Sequence, residues 1–242
     1  FDSGSHDDMD AGTFLRSLFA LRHYFTAVAR AGAAGAPFTV LRDHGIAAEA
    51  AMLAATGGIN THRGAIFSLG LLVAAAAERR RVHGHAVSGA QVCLAVQQWK
   101  DALIAAPLDP HSPGQRARAR HGVCGVREQA AAGYPVLREL ALPALRHALD
   151  SGLPRDAALC HTLMQLVAQV DDLNLLHRGG TEGLRWAQQQ AATFLSAGGA
   201  FAPDWRVRLQ SIGDAFVRRR LSPGGSADLL ACAWFLLQQE GA

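Results

Sequence analysis

Apolar residues recur along this chain at intervals of three and four, the spacing of helices with one buried face. After a polar stretch from Phe1 to Ala11, Asp10 stands where it can cap a helix from Gly12 to about Arg30. That helix carries Phe14, Leu18, Leu21, Phe25 and Val28 along one face. A second helix is predicted from about Thr39 to Ala55, with a break allowed at Gly45. The most apolar one runs from Arg63 to about Arg80, and another from Ala90 to Ala105. Three prolines and a glycine make Pro107–Gly114 a loop. Arg116–Ala131 reads as partly helical, Gly133-Tyr134-Pro135 as an interruption, and Val136–Leu149 as the helix resumed. Arg155 to about Val170 has a stripe of Leu159, Leu163, Leu166 and Val170. Helices over Thr181–Leu195 and Pro203–Arg219 follow, and a last one opens near Ser222-Pro223-Gly224-Gly225-Ser226.

No alternation long enough for a strand and no repeat of fixed period interrupts this pattern. The expected fold is all-α: one globular helical bundle of roughly nine to ten helices, with residues 1–242 as a single catalytic domain. Composition agrees, since the chain is rich in alanine and only 7% aromatic. The net charge of +3 is too small to demand nucleic acid but suits an anionic ligand. The four cysteines, at 93, 124, 160 and 232, form no CxxC pair, which argues against a disulfide framework and for a reduced, cytoplasmic setting. The apolar run Ala65–Ala77 is too short to span a bilayer. The chain opens on Phe1 without a Met, so residues upstream are expected.

Chemistry concentrates in polar clusters at the ends of the predicted helices. In Gly57-Gly58-Ile59-Asn60-Thr61-His62-Arg63, a polar quartet sits where a loop enters an apolar helix. Free N–H groups and the positive end of the helix dipole suit a phosphate there. The same residues also describe an ordinary Asn/Thr cap beside a satisfied histidine. His6-Asp7-Asp8-Met9-Asp10 places three carboxylates in four residues, which a hard cation such as Mg²⁺ would relieve, although taken alone the run reads first as an acidic helix start. Asp171 and Asp172 close an apolar helix against its dipole and lead into Asn174, His177, Arg178, Gly179 and Gly180. The alternative there is an Asp171–Arg178 pair with Gly179 as a C-cap. Arg127-Glu128 and Ser222-Pro223-Gly224-Gly225-Ser226 complete the set, offering a guanidinium clamp and exposed N–H groups, or else a solvated pair and a plain capped turn.

In this order, these clusters resemble the triphosphoribosyl-dephospho-CoA synthase family. The likeness is carried by Ser3–Asp10, Gly57–Phe67, Arg127-Glu128 with Gly133-Tyr134-Pro135, Asp171–Asn174 with Arg178–Gly180, and Ser222–Asp228. It extends over nearly the whole chain and looks closest to the branch serving malonate decarboxylase, the citrate lyase branch being similar. Arg63 stands where the family often has Lys, Leu173 where it often has Thr, and a Pro-Gly-containing segment ahead of the first motif is missing.

The resemblance implies transfer of the triphosphoribosyl group of ATP to the ribose 2′-hydroxyl of 3′-dephospho-CoA, with release of adenine. ATP and 3′-dephospho-CoA would be the substrates and Mg²⁺ the cofactor. No nucleic acid or membrane partner is expected, and a homodimer is allowed. Asp8, Asp10, Asp171 and Asp172 become the metal candidates. Asn60, Thr61, Arg63, Arg127, Arg178, Gly179, Ser222, Gly224 and Gly225 become nucleotide contacts. Asp172, Glu128 and His62 are the candidate proton acceptors. All these segments are expected to serve one acidic and cationic cavity. The rival reading is an all-α Mg-dependent nucleotide phosphohydrolase. A prenyl-type synthase is disfavoured because Asp171-Asp172-Leu173-Asn174-Leu175 lacks the third aspartate of a DDxxD motif.

Overall fold

In the computed structural model, the residues described are Ser5, His6, 9–106, Arg120 and 122–241. Among them all regular structure is helical and no strand occurs, as the hydrophobic spacing predicts. The chain forms two compact units. Unit 1 gathers the described residues within Phe1–His6, Pro107–Gly125 and Glu139–Leu230; unit 2 gathers those within Asp7–Ala106, Val126–Arg138 and Ala231–Ala242.

In unit 2 the first three helices, α1 (Ala11–Ala33), α2 (Phe38–Thr56) and α3 (Arg63–His83), pack on one another. Asp10 caps α1 as expected: its Oδ1 accepts the Thr13 N–H at 2.7 Å, and Thr13 answers with its hydroxyl. The buried face of α1 differs from the predicted one. Leu18 is exposed, and the stripe facing inward is Thr13, Ser17, Leu21, Val28 and Gly32. Glycines let α1 and α3 approach. A Cβ on Gly32 would lie 2.1 Å from the Ala74 carbonyl oxygen, and one on Gly70 would lie 2.0 Å from the Tyr24 hydroxyl. Tyr24 uses that room to donate to the Ile66 carbonyl at 2.8 Å. Leu21, Ala48, Met52 and Ile66 fill the space among the three helices.

The break allowed at Gly45 does not occur, and α2 is continuous; a single glycine costs only about 1 kcal/mol in a helix that packing holds. The single helix expected over Ala90–Ala105 is instead α4 (Gly89–Ala95), a 3₁₀ turn (Val96–Trp99) and α5 (Lys100–Ala105). Next come α6 (Val126–Ala131) and a π-helical turn at Leu137–Ala141. Pro143 follows within the first turn of the next helix and has no N–H to give the preceding turn, which accounts for the irregular winding.

In unit 1, α7 (Leu142–Asp150) and α9 (Leu173–Ser196) both pack against α8 (Arg155–Gln169), and α10 (Trp205–Arg218) lies on α9. The core here includes Met164, Val167, Leu176, Leu184, Phe194 and Trp205. Helix α9 starts eight residues earlier than expected and incorporates the Arg178-Gly179-Gly180 run. Gly180 takes φ 61°, ψ −164°, a conformation open only to glycine, and kinks the helix there. The last helix, α11 (Gly224–Glu240), begins in unit 1 and ends in unit 2. All four cysteines are free thiols. No helix among the described residues is long and apolar enough to cross a membrane.

Candidate active site

The Asn60–Arg63 quartet of unit 2 lies at the entry to α3, as its position in the sequence predicts. Gly57 ends α2 in the left-handed conformation (φ 68°), a turn that favours glycine. Asn60 Oδ1 accepts the Arg63 N–H at 3.1 Å and satisfies one of the unpaired donors of the first turn. His62 is the residue preceding the helix. Its own N–H donates to the Met52 thioether at 3.2 Å, and its ring packs T-shaped with Phe14, the centroids 5.3 Å apart. Ring Nδ1 lies 2.7 Å from the Ser17 hydroxyl and 3.1 Å from that of Thr61, and Thr61 donates to Ser17 at 2.7 Å. Burial pushes the His62 pKa down and keeps the ring neutral at neutral pH. The Arg63 guanidinium is paired with Glu49, so an incoming phosphate must compete with that carboxylate. Its Nε is buried with no partner among the described residues.

Asp10, also in unit 2, holds its carboxyl below the usual range because the Thr13 N–H donates to it. That leaves Oδ2 without a hydrogen bond among the described residues. Arg127 reaches the Ala106 carbonyl at 2.5 Å, and Glu128 follows it, half-buried, on α6. Asp8 lies outside the described residues.

In unit 1 the two acidic residues prove to stand at the start of a helix. Helix α8 ends at Gln169, and Asp172 is the N-cap of α9. The expectation that Asp172 opposes a helix dipole is therefore corrected: its charge lies with the dipole of the following helix. Asp172 is only 2% exposed, and all four acceptor directions of its carboxylate are occupied. Oδ1 accepts the N–H groups of Asn174 (2.8 Å) and Leu175 (3.3 Å); Oδ2 accepts the N–H (2.7 Å) and hydroxyl (2.9 Å) of Ser226. The two glycines before Ser226 make this possible. A Cβ on Gly225 would sit 3.1 Å from Asp172 Oδ1, and one on Gly224 2.5 Å from the Asn174 amide nitrogen. Asp172 thus acts as a clasp joining two motifs 54 residues apart. Asp171, beside it, is exposed and, among the described residues, accepts only a 3.4 Å contact from Gln188.

Arg178 forms no Asp171 pair. Its guanidinium donates to the carbonyls of Arg220 (3.2 Å) and Ser5 (3.4 Å) and to His6 Nδ1 (2.8 Å). Because Arg only donates, His6 Nδ1 accepts, and its other nitrogen faces the Ser222 hydroxyl at 3.2 Å. Ser5 donates its hydroxyl to the Leu221 carbonyl at 2.6 Å. Gly179, expected as a C-cap or a nucleotide contact, lies inside α9, where its missing side chain admits Leu221: a Cβ there would be 2.5 Å from Leu221 Cδ2.

Sequence reasoning missed Ser17, Glu49 and the pairing of Asp172 with Ser226. The available signal for Ser17 was a hydroxyl four residues from Thr13 and from Leu21, on the same helix face. Among the described residues no group of three or more His, Cys, Asp or Glu side chains is placed to hold a metal.

A family model described as ATP:dephospho-CoA triphosphoribosyl transferase matches residues 1–242. The chain belongs to that family. Relatives named as a probable 2-(5''-triphosphoribosyl)-3'-dephosphocoenzyme-A synthase agree with it. That of Citrobacter koseri is 39% identical, covering 97% of this chain and 81% of its own length. That of Vibrio cholerae serotype O1 is 36% identical, covering 98% and 79%. One from Salmonella typhimurium is 38% identical, covering 97% and 81%. No solved structure matches. The family read from the five motifs is thereby borne out.

Proposed function

We propose that this chain transfers the triphosphoribosyl group of ATP to the ribose 2′-hydroxyl of 3′-dephospho-CoA and releases adenine. The observation that carries the reading is the family match over the full chain, with the polar motifs falling at helix entries. In this reaction the bond from ribose C1′ to adenine N9 breaks, and a bond from C1′ to the acceptor oxygen forms. The 2′-hydroxyl proton ends on adenine. Positive charge develops on the ribose in an oxocarbenium-like transition state, as in glycoside hydrolysis.

Each cluster offers groups of the kind such chemistry needs. At the start of α3, the Gly64 and Ala65 N–H groups, with Arg63 exchanging Glu49 for an anion, bind phosphate oxygens. At the start of α11, the Gly224 and Gly225 N–H groups do the same, held in place by the Asp172 clasp. Asn60, Thr61, Arg127, Arg178 and Ser222 complete the nucleotide contacts. Either Asp10 in unit 2 or Asp171 in unit 1 can offer Mg²⁺ a carboxylate oxygen that has no hydrogen bond among the described residues, and this ion takes only one or two carboxylates beside substrate phosphates. Asp172 does not fit, its acceptor directions being filled by the protein. When bound, Mg²⁺ neutralises the triphosphate and holds it in place. We assign Glu128, half-buried on α6, to accept the 2′-hydroxyl proton. We assign the product to the acyl-carrier subunit of malonate decarboxylase rather than of citrate lyase, a choice supported by the likeness of the motifs alone.

The test is product analysis by mass spectrometry with ATP, Mg²⁺ and 3′-dephospho-CoA. Adenine and a triphosphoribosylated dephospho-CoA appearing in equal amounts, and only when the acceptor is present, are expected. Phosphate released from ATP alone would replace this reading by the nucleotide phosphohydrolase. Supplying the product to the two apo carrier subunits, with their own transferases, then tests the branch.

A further inference from the structure

Ser17 is a hydroxyl on the inward face of α1 with no exposed surface. A serine in a buried helix position commonly turns its hydroxyl back to the carbonyl one turn earlier. Ser17 has instead two side-chain partners across the sequence, His62 Nδ1 and the Thr61 hydroxyl, both at 2.7 Å. We propose that Ser17, backed by Thr61, is a positioning residue that holds His62 in the Nε2–H tautomer, so that His62 meets the substrate as a hydrogen-bond donor and not as a base.

Counting donors and acceptors gives the direction. Each hydroxyl has one proton, and the neutral ring has one. If Thr61 donates to Ser17 and Ser17 donates to Nδ1, both hydroxyl protons are used inside the cluster. The ring proton is then on Nε2, the nitrogen that has no partner among the described residues. In the reverse order, Nδ1–H donates to Ser17, Ser17 donates to Thr61, and the Thr61 proton must find an acceptor outside the cluster. The first order keeps every hydroxyl proton next to an acceptor where Ser17 is sealed from water. The T-shaped contact with Phe14 and the hydroxyls of Ser17 and Thr61 on Nδ1 hold the ring in this orientation. Burial disfavours a second ring proton, which preserves the tautomer near neutral pH.

On this proposal His62 serves as a hydrogen-bond donor in place of the expected proton acceptor. A neutral Nε2–H can donate to a ring nitrogen of the departing adenine as the C1′–N9 electron pair moves onto that base. No proton need leave His62. What the donor touches rests on the transferase reading; the tautomer itself does not.

Two measurements on the full chain test the proposal. In long-range ¹H–¹⁵N spectra of histidine-labelled protein, with His62 assigned by its loss in His62→Gln, a pyridine-type Nδ1 and a pyrrole-type Nε2 are expected. Ser17→Ala should shift the ring toward a mixture of tautomers, with Thr61→Val doing so more weakly. The opposite tautomer in the unaltered protein, or a ring unchanged in Ser17→Ala, would overturn the proposal. In adenine release, His62→Gln keeps a donor at the ε position and should stay within about 10-fold of the unaltered protein. His62→Ala should lose about 100-fold or more. Ser17→Ala should lose about 10–100-fold in kcat, with KM for ATP nearly unchanged. A His62→Gln protein as inactive as His62→Ala would assign the ring to proton transfer and refute the donor role. If the unaltered protein releases no adenine, the transferase reading fails while the spectra still decide the tautomer.

Discussion

The two polar clusters look alike in sequence and are built on opposite principles. In unit 1 the Asp172 carboxylate is buried and saturated, with four donors from two distant motifs closing on it. In unit 2 the His62 ring is held on one nitrogen only, by Ser17 and Thr61, and its other nitrogen keeps no partner among the described residues. A saturated buried charge makes geometry; a half-satisfied ring can still do chemistry. An acidic pair in a sequence therefore does not announce a base or a metal ligand, because a neighbouring Gly-Gly-Ser turn can absorb the charge completely.

The largest expected effect falls on the clasp. Asp172→Ala should lower unfolding stability in urea by about 3 kcal/mol or more, since the Ser226 and cap donors lose a charged acceptor. Asp172→Asn, which keeps an acceptor for α9 but sets an amide against Ser226, should cost about half of that. An Asn variant as stable as the unaltered chain and defective only in turnover would return Asp172 to chemistry and erase the contrast.

Next comes the approach of α1 to α3, which brings Ser17 to His62. Gly32→Ala puts a methyl group against the Ala74 carbonyl, where nothing flexible can give way. It should destabilise by about 1–3 kcal/mol, seen as a lower thermal midpoint. It should also shift the His62 ring signals. An unchanged midpoint would show that the helices are not so close.

Acid should weaken both units for one reason. His161 in unit 1 accepts the Ala200 N–H on Nδ1 at 3.3 Å, and burial, helped by His147, lowers its pKa; burial does the same to His62 in unit 2. A pKa lower in the folded than in the unfolded chain means that protons favour unfolding. The stability is fully present above the unfolded value of about 6.5 and is lost as pH falls through the folded pKa. Urea midpoints at pH 7 and 5 should differ by less in His161→Gln than in the unaltered protein. Equal differences would show that His161 does not contribute.

The smallest effect is at Asn60, an exposed residue two positions before the His62 cap, whose Oδ1 accepts one hydrogen bond from the helix start. Asn60→Ala should cost about 1 kcal/mol and Asn60→Asp almost nothing, again by urea unfolding. A loss as large as that in Asp172→Ala would show that the α3 entry is as tightly built as the clasp.

Much of the fold was legible along the chain. The apolar period gives the helices, Asp10 gives the start of α1, and Gly57 gives the end of α2, because caps and turns are decided by neighbours within one turn. Errors arose where packing overrides local preference. Gly45 stays helical, Gly180 bends a helix that was expected to start after it, and the inner face of α1 carries Ser17 in place of Leu18. The position of the candidate residues at helix entries was legible through the motifs, but the groups they touch were not. Gly179, Gly224 and Gly225 read as room for a ligand, while their missing side chains make way for Leu221, Asn174 and Asp172.

By itself the sequence determined the all-α class, the helix-entry positions of the polar motifs and the family, since periodicity, capping and motif order are written along the chain. Only the tertiary structure decided which polar groups satisfy one another. Ser226 on Asp172 and Ser17 on His62 are separated by 54 and 45 residues. No local rule couples residues so far apart. What joins them is the cost of leaving a buried donor or acceptor unmatched, and that cost exists only once the helices have packed.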